Sequence, residues 1–142
     1  MNLPEKIRNL FDIKELDIRG YSPLSLAFMG DSVYEIIIRT YVISQANRPA
    51  NQLNRMKVKY VNAAAQAAII DVIMDRLTPE EEDIYKRGRN AKSYTSAKNA
   101  SINDYRKATG FEALCGYLYL KGQMDRLLEL VKYAIEECDE KQ

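Results

Sequence analysis

The chain has 142 residues, 46% of them apolar, and a formal net charge of +1. That length suits one domain with a substantial core, and the apolar share excludes a disordered chain. No run approaches the apolar length of a membrane span, and the near-neutral balance favours no partner by itself. There is no histidine, which removes the usual general base, the Ser-His and Cys-His nucleophiles and the commonest zinc ligand. Hydrolysis on this chain would have to rest on carboxylates, with a hard metal ion as their natural partner. Cys115 and Cys138 form no disulfide or zinc pattern, and Cys115 reads as a small core residue. The N-terminus, MNLPEKIRNLF, lacks the layout of a secretory signal, so the expected location is cytoplasmic.

Pro4 to Phe11 reads as a short amphipathic helix, and Asp12 to Tyr21 as a linker closed by Gly20. Ser22 and Pro23 then start a long helix ending near Ser44, and Asn47, Arg48 and Pro49 break the chain after it. Asn51 caps a second long helix reaching about Arg76, with an alanine run from Ala63 to Ala68 that invites close helix contact. Thr78-Pro79-Glu80-Glu81 is a capping box that starts a short helix ending at Gly88. Arg89 to Ala100 lacks helical or strand periodicity and reads as a loop. Ser101 caps a helix to about Lys121, Gly122 closes it, and Gln123 to Cys138 is the last helix. Nothing alternates over a strand length, so the expectation is an all-α single domain.

The long helix from Ser22 to Tyr41 is apolar nearly all round, a pattern that predicts burial. Gly30 and Asp31 nevertheless stand in its middle, with Glu35 one turn on. Glycine inside a helix costs roughly 1 kcal/mol, and a buried carboxylate several unless it is paired or bound to a metal. The same logic recurs at Gly110-Phe111-Glu112-Ala113-Leu114-Cys115-Gly116, where one carboxylate sits among apolar residues and glycines. If the two helices pack together, Asp31 and Glu112 share a site, and like charges held close favour a cation between them. Oxygen-only ligation points to magnesium, with manganese as the other candidate. The plain alternative is that each acid is partly exposed or salt-bridged.

A third signal is basic. From Ile84 to Asn103 there is no acid, while Lys86, Arg87, Arg89, Lys92 and Lys98 supply five positive charges. Asn90 and Asn99 stand among them, with hydroxyl side chains interleaved, a composition suited to phosphate contacts. A solvated loop is the alternative.

Phe28-Met29-Gly30-Asp31-Ser32-Val33 resembles the signature helix of the ribonuclease III catalytic domain, and Phe111-Glu112-Ala113-Leu114-Cys115-Gly116 resembles that family's second acidic motif. The resemblance runs from about 22 to 121, with no double-stranded RNA-binding domain after it. That layout, and the RGRNAKS stretch, is similar to the Mini-ribonuclease III group. The resemblance implies that Asp31 and Glu112 are catalytic, metal-binding carboxylates. Glu35 and Thr109 are read as supporting groups beside them, Glu35 orienting a ligand or pairing with a cation, with a salt bridge inside the helix bundle as its alternative. It also implies a homodimer that cleaves double-stranded RNA, with ribosomal RNA precursors of the large subunit as substrate. Ala27, Leu24 and Thr109 stand where the larger family has acids, a reduced set that the Mini group is understood to share. The rival reading is a non-catalytic RNA-binding or ribosome-assembly protein on the same helical scaffold.

Overall fold

A computed structural model describes residues 1–15, 17–91 and 101–140, and all regular structure among them is helical. The elements are α1 (Leu3–Leu10), α2 (Pro23–Gln45), α3 (Ala50–Val61), α4 (Ala63–Ile73), α5 (Pro79–Asn90), α6 (Ile102–Leu120) and α7 (Met124–Glu140). Short 3-10 turns lie at Ile18–Gly20 and Met74–Arg76. Three helix starts follow the chemistry of their caps, whereas α3 starts at Ala50 behind Pro49 with no side-chain cap, so Asn51, expected to cap it, lies inside its first turn. Ser22 Oγ accepts from the Leu24 amide, Ser101 Oγ accepts from the Asp104 amide, and Thr78 and Glu81 complete the capping box at α5.

Two expected boundaries move, each for a local reason. The single helix expected from Asn51 to Arg76 is two helices broken at Asn62, whose backbone is extended (φ −70°, ψ 159°). Its side chain donates to the Val58 carbonyl at 2.9 Å and accepts from the Ala65 amide at 2.8 Å. One asparagine thus ends α3 and caps α4, the local competition that makes this residue a poor helix interior. Gly88, expected to stop α5, instead lies inside it, so Arg89 and Asn90 are helical rather than loop residues. A Cβ at position 88 would stand 2.8 Å from Ala113 Cβ and 2.9 Å from Gly110 Cα. Gly88 is there for close contact with α6.

α6 is the central helix. Between Ala108 and Leu118 every residue except Glu112 is buried, and α2, α4 and α5 each pack on it while α7 covers α4. Cys115 is a core residue, as expected. The Tyr34 ring meets Phe111 edge-on at 5.0 Å, and its hydroxyl donates to the Tyr60 carbonyl at 2.8 Å, linking α2 to α6 and α3. Of the alanine run, Ala67 enters the core while Ala64 and Ala68 face solvent.

The expected full burial of α2 is overturned. One stripe (Leu26, Ala27, Gly30, Val33, Tyr34, Ile38, Val42) is buried, but Phe28 is 80% exposed, Ile36 62% and Ile43 58%. A helix apolar all round needs neighbours all round, and this chain gives α2 neighbours on one side. No helix among the described residues is long and apolar enough to cross a membrane.

Candidate functional site

Gly30 and Gly116 decide where α2 and α6 cross. A Cβ on Gly30 would lie 1.6 Å from the Glu112 carbonyl oxygen, and one on Gly116 would lie 2.1 Å from the Leu26 carbonyl oxygen. Neither position admits any side chain, so the two backbones touch. The glycines that looked anomalous in sequence therefore answer a packing demand. Their consequence is chemical: Asp31 follows Gly30, Glu112 lies one turn before Gly116, and the crossing brings both carboxyl groups together.

Asp31 is exposed and Glu112 is half-buried. The Glu112 carboxyl is pushed up to about 8, first by burial and then by the hydrogen bond and the charge of Asp31. Glu112 therefore holds its proton to higher pH than an ordinary carboxyl group, next to Asp31. A hard divalent ion fits this donor set. Among the described residues no third acid, cysteine or histidine joins the pair, so water or substrate oxygens would complete an ion's shell, as is usual for magnesium. Ala27 and Thr109 occupy the neighbouring positions. Thr109 is buried, and its hydroxyl donates to the Tyr105 carbonyl at 3.0 Å.

Glu35 does not face Glu112. Lys57 Nζ lies 2.6 Å and Arg39 Nε 2.8 Å from its carboxylate. Burial alone would raise the Glu35 carboxyl, and these two cations more than offset it, holding the group below the ordinary carboxylate range. Its role is to tie α3 to α2 one turn from Asp31. Lys57 went unnoticed in the sequence because its partner lies on another helix.

The basic residues divide. Lys86 pairs with Glu82 at 3.0 Å within α5. Arg87 lines a cleft with Arg19, Glu80, Asp83 and Tyr117. The Arg89 guanidinium stands 5.6 Å from the Tyr85 ring centre, and its Nε donates to Asn90 Oδ1 at 3.3 Å. Lys92, Lys98 and Asn99 lie outside the described residues. The end of α5 meets α6 where Gly88 touches Thr109, Gly110 and Ala113, while no cation of α5 acts on the Glu112 carboxyl.

Residues 24–123 match the Ribonuclease III domain family. The chain is 50% identical over 123 residues to a Thermoanaerobacter protein named Mini-ribonuclease 3, the match covering 87% of each chain. It is 48% identical over 126 residues to the Mini-ribonuclease 3 of Enterococcus faecalis, covering 87% of this chain and 96% of that one. In structure it is similar to a Fusobacterium nucleatum protein solved by crystallography, with TM-score 0.77, 32% identity, and coverage of 87% of this chain and 98% of that one. The matched region contains both helices of the acid pair and the crossing that holds it, and the chain belongs to the ribonuclease III family, beside the Mini-ribonuclease 3 proteins.

Proposed function

We propose that this chain hydrolyses phosphodiesters in double-stranded RNA as a homodimer, with a divalent cation, magnesium or manganese, held between Asp31 and Glu112. As a member of the ribonuclease III family it is an endoribonuclease. The observation that supports the metal is the acid pair itself: two carboxyl groups brought together at a helix crossing where neither Gly30 nor Gly116 admits a side chain. When bound, such an ion acidifies a water and neutralises charge that builds on the phosphate. Asp31 and Glu112 would hold the ion, with both carboxyl groups ionised. Arg87 and Arg89, at the end of α5, are the described basic residues proposed to contact phosphates. Large-subunit ribosomal RNA precursors in the cytoplasm are the proposed substrate, on the resemblance of both motifs and the RGRNAKS stretch to the Mini group.

The dimer reading rests on the open side of α2. Phe28, Ile36 and Ile43 form an exposed apolar row, which is the signature of an association surface. A groove of about 400 Å³ opens beside Ile43, lined by Arg39, Val42, Leu53, Asn54 and Lys57. Ile36 lies near the midpoint between Phe28 and Ile43. A twofold axis through Ile36 would lay two α2 helices antiparallel and bring each Phe28 to the partner's groove.

Cleavage of a long RNA duplex with Mg²⁺, then with excess EDTA, tests the reading. The expected result is internal cleavage that needs the ion. Binding without cleavage at any metal concentration would overturn it in favour of a non-catalytic RNA-binding protein.

A further inference from the structure

Tyr85 is only 2% exposed, yet it carries a hydroxyl that packing does not call for. Its ring fills a slot on α6 opened by Gly110, where a Cβ would stand 2.7 Å from two ring carbons. A phenylalanine would fill that slot equally well. One turn on, Gly88 rests against Ala113 and Gly110, so the last turns of α5 are fixed to the helix that carries Glu112. The polar groups that act on the phenol come from three helices: Asp71 of α4, Arg89 of α5 and Lys107 of α6.

Two of these answer each other. Lys107 Nζ lies 3.0 and 3.1 Å from the two carboxylate oxygens of Asp71. Arg89 is left for the phenol. Its guanidinium stands 5.6 Å from the ring centre and donates to the phenol oxygen. Burial pushes the Tyr85 phenol up, and the charge and hydrogen bond of Arg89 draw it part of the way back. Arg89 Nε also donates to Asn90 Oδ1 at 3.3 Å. Both of these acceptors are neutral, whereas Lys86 on the same helix is spent on Glu82. A carboxylate would orient a guanidinium and cancel its charge. A phenol and an amide orient it and leave the charge whole, with the remaining N–H groups open to a phosphate. Arg126, committed to Glu81 at 3.0 Å, is the opposite case.

We propose that the Tyr85 hydroxyl is a positioning group for Arg89, holding its guanidinium at the end of α5 in the orientation in which it meets an RNA phosphate. This rests on the proposed function and names what makes one of its contacts rigid. Tyr85 is buried and touches no RNA. It spares Arg89 the ordering of a long side chain on binding, a cost that otherwise offsets much of what one contact yields. Arg87 lines its own cleft with Arg19, Glu80, Asp83 and Tyr117 and stands outside this arrangement.

The test is equilibrium binding of a labelled blunt RNA duplex in EDTA, arranged as two double-mutant cycles. Tyr85→Phe keeps the ring in its slot and removes only the hydroxyl, so its melting midpoint should stay close to wild type. Alone it should weaken binding about fivefold, and Arg89→Gln about tenfold. In the Arg89→Gln background Tyr85→Phe should change nothing further. In the Arg87→Gln background its whole effect should remain. Arg89→Lys keeps the charge but loses the planar fork, and should bind about as weakly as Tyr85→Phe. If Tyr85→Phe melts well below wild type, the Arg89→Lys arm decides alone. Equal weakening by Tyr85→Phe in all three backgrounds would overturn the proposal and make Tyr85 a packing residue. Wild-type affinity in Tyr85→Phe, Arg89→Gln or Arg89→Lys would overturn it too, and with wild type binding and cutting duplex the proposed function would stand. Wild type that neither binds nor cuts duplex RNA would overturn both.

Discussion

Glu81 and Glu112 are both carboxyl groups drawn into the same bundle, yet they stand in opposite electrical settings. Glu81 is only 5% exposed and is gripped by Arg126, whose Nε and Nη2 each donate to it at 3.0 Å. Burial would raise Glu81, and Arg126 together with the Thr78 amide overcomes that and holds it low. Glu112 has no cation to offset its burial and meets another acid instead, and its carboxyl rises to about 8. A buried acid with its own cation is a strut. A half-buried acid facing a second acid has no cation of its own, and it is there that the proposed metal would be held. Glu35, gripped by Lys57 and Arg39, falls with Glu81, although it lies on the same helix as Asp31. The distinction therefore follows partners, not position in sequence.

The sharpest way to break this contrast is to remove one acid from the pair. Asp31→Asn should lower cleavage by about 10²–10³-fold or more, the scale on which a lost electrostatic partner of a transition state is felt. The same change should leave the melting midpoint of metal-free protein near that of wild type, because residue 31 is exposed and an asparagine oxygen can still accept a hydrogen bond from the Glu112 carboxyl. Cleavage kinetics and a thermal melt on one preparation check both halves. Near wild-type cleavage would place the ion elsewhere.

Removing the cation from the strut should do the reverse. Arg126→Ala leaves Glu81 buried without its partner and takes a donor from the Arg76 carbonyl, 2.7 Å away. The expected loss is about 3 kcal/mol of stability, which for a chain of this size lowers the melting midpoint by about 10 °C. Duplex cleavage per folded molecule at low temperature should stay at the wild-type level. A melting midpoint within about 2 °C of wild type would mean that Glu81 is less committed to Arg126 than its geometry indicates.

The pair also carries a pH signature with a definite sign. In metal-free protein the Glu112 carboxyl is at about 8 in the fold against an ordinary 4.5 once unfolded. The fold therefore holds this proton longer than the unfolded chain does. Its contribution is complete below about pH 4.5 and is lost as pH rises through about 8. Denaturant melts in EDTA should show stability falling over that window by on the order of 2 kcal/mol, and Glu112→Gln should flatten the profile. Magnesium affinity should rise over the same window, since binding expels the proton. A flat profile in wild type would mean that Glu112 is not held against Asp31.

Much of this was legible in the chain because the signals were local. Caps at Ser22, Thr78 and Ser101 placed three helix starts, and two acids in apolar helices marked the pair. What escaped was everything set by a neighbour. Gly88 reads as a stop until Ala113 is seen against it, and Asn62 reads as one polar residue in an alanine-rich helix. The burial predicted for α2 assumed that apolar residues find cover within their own chain, and Phe28 and Ile36 do not. Glu35 could be told from Asp31 only once Lys57, 22 positions away, stood beside it.

Thr109 offers the finest test of the contrast, because it asks whether the pair can be enlarged. Residue 109 lies one turn before Glu112, where the larger family has an acid, and it is buried with its hydroxyl turned back to the Tyr105 carbonyl. Thr109→Asp would place a third carboxyl near Asp31 and Glu112 and surrender that hydrogen bond. Without metal the variant should be less stable than wild type, since a third acid deepens the repulsion. With metal the added oxygen should replace a water on the ion, so half-maximal cleavage should need a few-fold less Mg²⁺. The maximal rate need not follow: the extra negative charge also repels the scissile phosphate, and an ion held by three acids has less freedom to meet it. The two readouts move apart only if residue 109 faces the pair. A variant that folds normally and needs as much Mg²⁺ as wild type, or more, would show that position 109 points towards α5 and Gly88 instead. The thinned acid set would then be a fixed property of this helix crossing rather than one substitution away from a fuller cage.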